Sequence, residues 1–371
     1  MNILVTGGAG FIGSHVVAAL LARGQHVIVL DALTPQVHGA NATAARVTRD
    51  VEFIHGDVCD ENAWARVLPR ADAVIHLAAA VGVGQSMYEI TRYVDVNTRG
   101  TALLWQRLAQ ARARVTKVVV ASSMSIYGEG AYQCPHHGRV APPPRSEAQL
   151  RARAWELHCP QCATLLTPLA TPEAKPLAPT STYAITKRDQ EELSLVLGRA
   201  YAIPTVALRF FNVYGSRQAL SNPYTGAIAI FGARLKNGQA PLVYEDGAQL
   251  RDFIHVSDIA RALILALESD AGDGQAFNVG AGQPRSIYQV AETLARVMAV
   301  ELTPQVTRQF RAGDIRHCFA DMTRFHATYG FTARCAFDDG VREWWAWAER
   351  ELADDRVAQA NAELAARQLI H

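Results

Sequence analysis

Two sets of side chains in this sequence have the types and spacing to do chemistry. In "STYAITKRDQEEL", Tyr183 and Lys187 stand four residues apart. On a helix that spacing puts both on one face, within reach of one ligand. An ammonium beside a phenol favours the phenolate and draws the tyrosine toward the pKa range of a general base. "VVASSMSIYGEG" adds hydroxyls, Ser123 among them, at the C-terminal end of a predicted strand, where open parallel sheets place their ligands. The second set is "CPHHG" (Cys134 to Gly138) with "CPQC" (Cys159 to Cys162). Cys134 with His137, and Cys159 with Cys162, have the two-residue gap that closes one edge of a zinc tetrahedron. Together the four would make a structural zinc site with no position open to water; the alternative is free thiols in a loop.

The elements that must position these groups are legible upstream. "NILVTGGAGFIGSHVVAALLARGQHVIVLD" predicts a strand at Ile3 to Val5, a glycine-rich turn, a helix ending near Gly24 and a second strand at Val27 to Leu30 closed by Asp31. Gly7 would allow the sharp turn, Gly10 the approach of backbone N–H groups to a pyrophosphate, and Gly13 close packing of helix on strand. Asp31 falls where a ribose-binding carboxylate belongs; otherwise it is a solvated strand-end acid. Its charge opposes a 2′-phosphate, and no Lys or Arg follows until Arg46, so NAD is expected rather than NADP. Apolar strands recur at Val51 to Ile54, Ala73 to Leu77, Lys117 to Ala121 and Thr205 to Leu208, separated by helix-length stretches such as Thr98 to Ala113. That alternation predicts an α/β fold with a doubly wound parallel (Rossmann) sheet. Asp57, after the third strand, is either an adenine contact or a turn acid.

Lys and Arg number 36 against 35 Asp and Glu, so no overall field favours nucleic acid or an anionic membrane. Neither partner is expected. "MNILVTGG" enters an apolar run with no basic leader, and no apolar run reaches membrane-spanning length, from which a cytoplasmic location is expected. There the six cysteines (59, 134, 159, 162, 318 and 335) would be metal ligands or free thiols rather than disulfides.

Six ordered motifs carry a resemblance. "TGGAGFIG", "HLAA" (His76 to Ala79), "SSMSIYG", "YAITK", "RFFNVYG" (Arg209 to Gly215) and "RDFIHVSD" (Arg251 to Asp258) are similar to those of the extended short-chain dehydrogenase/reductase family of NAD-dependent nucleotide-sugar epimerases and dehydratases. The resemblance spans about residues 1 to 345. It implies Tyr183 as base, Lys187 as its activator and ribose ligand, Ser123 as partner of the sugar hydroxyl, and Asn97 as a brace for the catalytic helix. It extends the NAD site to Phe11, Ile12, Val58, Leu77, Ala78 and Ala79. For the substrate, a nucleotide-diphosphate sugar, it implies Asn212 as a contact, Arg251 and Arg311 as a diphosphate clamp, Asp314 on the nucleotide's sugar, and Asn222 with Tyr244 at the base. Arg316 is either a further ligand or an ion-pair residue. A homodimer is the family expectation. Sugar dehydratases carry an Asp-Glu pair directly after Ser123; Met124 and Ser125 stand there and cannot act as carboxylate acid or base, which favours 4-epimerisation. "DALTPQVHG" and "RFFNVYGSRQALSNPYTGAIAIF" look like the branch that epimerises dTDP-L-rhamnose; a UDP-hexose 4-epimerase or a UDP-sugar decarboxylase are the alternatives.

The expected organisation is a dinucleotide-binding domain over 1–210, and a smaller α/β substrate-binding domain mainly over 211–371 with 252–280 returning to the first. Ser123 and Tyr183 are 60 positions apart (183 − 123), about twice the usual family separation. The excess is a Cys/His-rich insert at 130–171, proline-rich and poor in apolar periodicity. At the C-terminus, Trp344, Trp345, Ala348 and Leu352 form an apolar stripe, and the last twenty residues are expected to project or fray. Two rival functions are weaker: a non-catalytic NAD sensor would lack Tyr183 or Lys187, and a nucleic-acid finger would need a helix between the knuckles and a basic surface.

Overall fold

The computed structural model of the chain describes residues 1–39, 50–110 and 114–371; Arg46 and the end of the helix expected over Thr98 to Ala113 lie outside them. Seven parallel strands form the central sheet: β1 (Asn2–Thr6), β2 (His26–Asp31), β3 (Glu52–His55), β4 (Ala73–His76), β5 (Lys117–Ser123), β9 (Thr205–Phe210) and β13 (Ala276–Val279). Their spatial order is β13-β9-β5-β4-β1-β2-β3. Strands β4, β5 and β9 are buried along their whole length, as unbroken Val, Ile and Leu runs require of a sheet covered on both faces. Helices Phe11–Leu21 and Val256–Glu268 pack together on one face, around Val16, Leu20, Ile259 and Leu263. Trp64, Leu104 and Trp105 fill the core on the other.

The excess between Ser123 and Tyr183 is a small unit of its own. Strands β6 (Ala131–Cys134), β7 (Gly138–Val140) and β8 (Thr167–Leu169) form an antiparallel sheet in the order β7-β6-β8. Its core is only Tyr132, Cys134, Leu157, Cys159 and Leu166, with Val140 against them. A further layer comprises β10 (Asn212–Tyr214), β12 (Leu250–His255) and β14 (Pro284–Ser286) in one sheet, and β11 (Leu242–Val243) with β15 (Gln305–Val306) in another. These pack with helices Ala227–Lys236, Ile287–Val297 and Phe337–Ala348 around Phe231, Leu294, Val341 and Trp344.

The C-terminal stretch departs from expectation twice. Trp344 and Ala348 are fully buried, but the helix ends at Ala348 and leaves Leu352 94% exposed, outside the predicted stripe. The final residues do not project. A helix at Val357–Ala365 lies on the protein, and Phe310 and His371 exchange both backbone hydrogen bonds at 2.9 Å. Burial of Val357, Ala360 and Leu364 and the pairing of main-chain groups hold down a segment too polar to announce itself by periodicity.

Candidate active site

Tyr183 and Lys187 lie in the helix Thr182–Ala200, which begins at Ser181; the Ser181 hydroxyl accepts from the Ala184 N–H at 3.2 Å. Such a cap is worth about 1 kcal/mol, and it fixes the first turn, where Tyr183 sits. The Tyr183 N–H donates to Ser86 Oγ at 3.0 Å, and its ring packs edge-on against Tyr93 at 6.3 Å. Ser123, the last residue of β5, lies beside the Tyr183 phenol. Burial pushes that phenol above its ordinary pKa, and the Ser123 hydrogen bond pulls it down. Ser125 Oγ donates to Ser123 Oγ at 2.9 Å, so the Ser123 hydroxyl keeps its own proton to donate.

Lys187 is buried, and its Nζ donates to Ala121 O at 2.5 Å and Gln190 Oε1 at 2.7 Å. An ammonium has three donors, so one N–H remains for a ligand. Burial brings its pKa down to about 7, against a pull upward from Glu191. Ser123 pulls the Tyr183 pKa down, and the Lys187 ammonium is held by Ala121 O and Gln190 Oε1.

Beneath the lysine runs a chain of polar groups that sequence reasoning missed. Gln190 Nε2 donates to Thr101 Oγ1 at 2.9 Å, while Thr101 donates its own proton to Asn97 O at 2.7 Å. The Thr101 oxygen must then accept from His76 Nε2 at 3.0 Å, which leaves His76 Nδ1 to accept from Thr6 Oγ1 at 2.8 Å. Burial, assisted by Lys187, depresses His76 to about 3 and keeps it neutral. Asn97 accepts from Ala80 N (2.7 Å), donates to Ala80 O (3.0 Å) and donates to Thr186 Oγ1 on the helix that carries Tyr183 at 3.0 Å. It occupies a π-helical stretch, Val94–Arg99, of the kind frequent at functional sites. On the other flank, Arg209 grips Glu191 through Nε and the terminal nitrogen at 2.9 and 2.6 Å, and Ser122 donates to the same carboxylate at 2.6 Å. The only sequence signals for these residues were polar side chains inside otherwise apolar strands and helix faces.

The glycine turn fits a dinucleotide. Gly7 has φ +67°, and a Cβ on Gly13 would stand 2.1 Å from Gly7 O, so only glycine permits this approach of helix to turn. Gly10 precedes the helix with no side-chain cap, leaving the N–H groups beside Phe11 and Ile12 for an anion. The Asp31 carboxylate accepts from Ala9 N at 3.0 Å and Leu33 N at 2.8 Å; a carboxylate has about four acceptor sites, so acceptors remain for ribose hydroxyls. Leu77 and Ala78 donate backbone N–H groups to Thr6 Oγ1 at 3.1 Å each, with Ala79 next in the chain. Asp57 closes a turn onto Cys59 N at 2.8 Å, and the Val58 carbonyl accepts from Trp64 Nε1 at 2.8 Å. These residues match NAD's demand for a ribose carboxylate and a bare helix N-terminus.

A cavity of about 300 Å³ opens beside Ser123 and Tyr183, lined by Met124 and Ser125 after the one and by Thr180 and Ser181 before the other. Asn212, Tyr244, Arg251, Arg311 and Asp314 also line it. The buried Asn212 Oδ1 has no partner, an acceptor left for a ligand. Arg311 stacks over Tyr244 at 4.5 Å and donates to Asp314 at 2.8 Å. Arg251 is committed to the carbonyls of Leu250, Arg316 and Ile315 at 2.9, 2.9 and 2.6 Å. Asn222 is not in the lining: its Oδ1 accepts from Gln36 Nε2 and Tyr224 N at 3.2 and 3.1 Å. Arg316 is no surface ion-pair residue. Fully buried, it bonds Glu156, Glu245 and Asp246. The cavity roof was not foreseen. The C-terminal segment contributes Val357, Ala360, Asn361, Leu364 and Leu369; Tyr244 donates to Asn361 Oδ1 at 2.7 Å, and Tyr88 and Tyr224 both reach Glu363 Oε2, at 2.8 and 2.7 Å. A larger surface cleft of about 710 Å³ beside Gln289 and Glu301 contains none of the expected residues.

Cys134, His137, Cys159 and Cys162 do converge, with one ligand atom of each within 4.8 Å of all the others.

The sequence pattern described as "NAD dependent epimerase/dehydratase family" matches residues 3–148 and 165–280, stepping over 149–164. A protein of Burkholderia thailandensis, named dTDP-L-rhamnose 4-epimerase, is 35% identical over 353 residues, covering 95% of this chain and 96% of its own. Among solved structures, the UDP-glucose 4-epimerase of Thermus thermophilus, complexed with NAD, superposes with a TM-score of 0.75 at 30% identity, covering 95% of this chain and 100% of that one. The Thermotoga maritima UDP-glucose 4-epimerase with UDP-glucose gives 0.75 at 28% identity over 94% and 99%.

Proposed function

We propose that this chain, which belongs to the NAD dependent epimerase/dehydratase family, is a nucleotide-sugar 4-epimerase interconverting dTDP-L-rhamnose and dTDP-6-deoxy-L-talose. One observation carries the reading. The Ser123–Tyr183 pair adjoins a cavity whose sole carboxylate, among the described residues, is Asp314, already paired with Arg311. Such a site has a base to deprotonate a carbinol whose hydride NAD would accept, but no acid beside it to expel water, which supports epimerisation over dehydration. The 35% identity to the Burkholderia protein supports the dTDP-6-deoxyhexose.

Gly7, Gly10, Gly13, Asp31 and the backbone from Leu77 to Ala79 would hold NAD, which when bound supplies the hydride acceptor and donor that no side chain provides. Tyr183 takes the proton of the sugar 4-hydroxyl while Ser123 holds that oxygen, a contribution of about 10²- to 10⁴-fold for a positioned base. The third N–H of Lys187 would serve the ligand, and its positive charge would favour the phenolate. The apolar wall at Ile230, Phe231 and Leu242 allows the 4-keto sugar to present its other face, and Tyr183 then returns the proton. Arg311 supplies a planar cation for the diphosphate, and the unpartnered Asn212 Oδ1 accepts from the sugar. Residues 1–210 would serve the dinucleotide and 211–371 the sugar, with 252–280 packing back on the sheet. A structural zinc on the insert is the second cofactor of this reading.

The same reading makes the protein a cytoplasmic homodimer. Exposed Ile90, Val94, Ile185 and Val196 on adjoining helices support a subunit face, and six free thiols suit a reducing compartment. No helix among the described residues is long and apolar enough to cross a membrane. Incubation with dTDP-L-rhamnose, UDP-glucose and UDP-glucuronic acid, followed by NMR, tests the assignment. Inversion at C4 of the dTDP-6-deoxyhexose is expected. Inversion of UDP-glucose alone, or loss of carbon dioxide from UDP-glucuronic acid, would reassign the substrate.

A further inference from the structure

We infer that the insert binds one Zn²⁺ through Cys134, His137, Cys159 and Cys162, and that this metal governs nucleotide-sugar affinity by holding one wall of the substrate cavity. The inference rests on the zinc reading above and adds to it what the metal does.

Three of the six ligand–ligand edges have the lengths of a tetrahedral centre, and all six lie within 4.8 Å. Zn–S bonds of about 2.3 Å and Zn–N bonds of about 2.0–2.1 Å demand S···S edges of about 3.8 Å and S···N edges of about 3.5 Å. The Cys134 and Cys162 sulfurs are 3.6 Å apart, and His137 Nδ1 is 3.5 Å from the sulfurs of both Cys134 and Cys159. A disulfide would need about 2.05 Å. Two of the five core residues of this unit are the ligands Cys134 and Cys159, so the metal would stand where a larger domain has its hydrophobic centre. Binding releases three thiol protons to solvent and leaves a complex of net charge −1 (three thiolates on one Zn²⁺), with no redox step.

The insert is sewn to the cavity wall. Gly130 N donates to His317 O at 2.8 Å, and Thr171 N to Phe319 O at 2.8 Å. Between these stitches Glu156, three residues before Cys159, accepts from Arg316 Nε at 3.0 Å and faces His317 Nε2 at 3.1 Å. Arg145, its side chain 2% exposed, reaches Glu245 at 2.9 Å and the Asp314 carbonyl at 3.2 Å. The segment they grip, 311–317, carries Arg311, Asp314 and Ile315 of the cavity lining. The stretch that the family pattern steps over, 149–164, therefore contributes two of the zinc ligands, Cys159 and Cys162, and the Glu156 brace. Losing the metal loosens Glu156 and Arg145, and with them the Arg311–Asp314 clamp, while the NAD turn on the central sheet is untouched.

The test begins with zinc per chain in protein purified without chelator, and with cobalt(II) reconstitution read by its thiolate absorption. The KM for the nucleotide sugar and NAD retention are then followed as zinc is extracted and returned. We expect one zinc, cobalt–thiolate bands, a KM at least tenfold higher without metal and restored with it, and unchanged NAD binding. Cys162→Ser should reproduce the metal-free state. Glu156→Gln should keep zinc and raise KM without lowering kcat at saturation. Near-zero zinc with no cobalt–thiolate signal overturns the metal site. One zinc whose extraction leaves KM unmoved overturns the coupling alone. Metal content and protection of the insert from proteolysis are read without turnover, so failure of the epimerase reading would be distinct from failure of this one.

Discussion

The buried network under the catalytic helix and the Cys/His insert both hold polar groups in fixed positions, by opposite means. Thr6, His76, Thr101 and Gln190 are locked by a seven-stranded core in which nearly every neighbour is fully buried, and each polar atom finds a protein partner. The insert has five core residues, and its four ligand atoms crowd together with no covalent tie. The first arrangement needs nothing from solution to be ordered. The second has the entropy cost of a small domain without the apolar area to offset it, a difference that the proposed metal would supply. Preorganisation by packing suits a base whose position must not vary, whereas order through a ligand leaves a wall that can be built or lost.

The largest expected effect separates the two regions. Tyr183→Phe should lower turnover by about 10³-fold, within the range for a lost general base, and leave zinc content and proteolytic protection of the insert unchanged; a simultaneous change in the insert would mean that the regions are not independent. Arg316→Ala should cost about 3 kcal/mol in urea unfolding. That is the low end for a broken buried ion pair, because the Glu156 and Asp246 side chains are 39% and 41% exposed. Loss of less than about 0.5 kcal/mol would show that the insert is not anchored there. Asn361→Ala removes the acceptor of the Tyr244 hydroxyl in the cavity roof; a KM rise of about three- to tenfold, as for one hydrogen bond, is expected with kcat retained. The subtlest is a pH effect. The Ser123 hydrogen bond lowers the Tyr183 pKa, so in Ser123→Ala the phenol ionises at higher pH. The rising acid limb of the kcat/KM profile should then move upward, whereas an unmoved limb would deny Ser123 that role.

Legibility in the sequence followed the range of the interaction. Helix spacing singled out Tyr183 and Lys187, and the spacing of "CPHHG" and "CPQC" singled out the four Cys/His side chains that converge, because each pair is set within one turn or one knuckle. Gly13 was readable because a Cβ there meets Gly7 only six residues away. Gln190, Thr101 and His76 were not readable, since their partners lie 25 to 114 residues apart in sequence and a polar residue inside an apolar element carries no label of what it meets. Arg316 was open between ligand and ion pair for the same reason, and burial beside three carboxylates decided it. The C-terminal roof was misjudged because its contacts are main-chain bonds to Phe310 and Ala312 and hydroxyls from Tyr88, Tyr224 and Tyr244, none of which its own charged, alanine-rich composition encodes.

The sequence by itself determined the parallel sheet, the glycine turn, the helical spacing of Tyr183 and Lys187 and the knuckle spacing of four Cys/His side chains that converge, because backbone propensity, apolar periodicity and short spacing act locally. Tertiary structure alone decided that Lys187 is held by Ala121 O and Gln190, that Asn222 stands outside the cavity lining, and that the insert and the C-terminal segment wall and roof it. Those outcomes depend on which distant polar groups must satisfy one another once water is excluded.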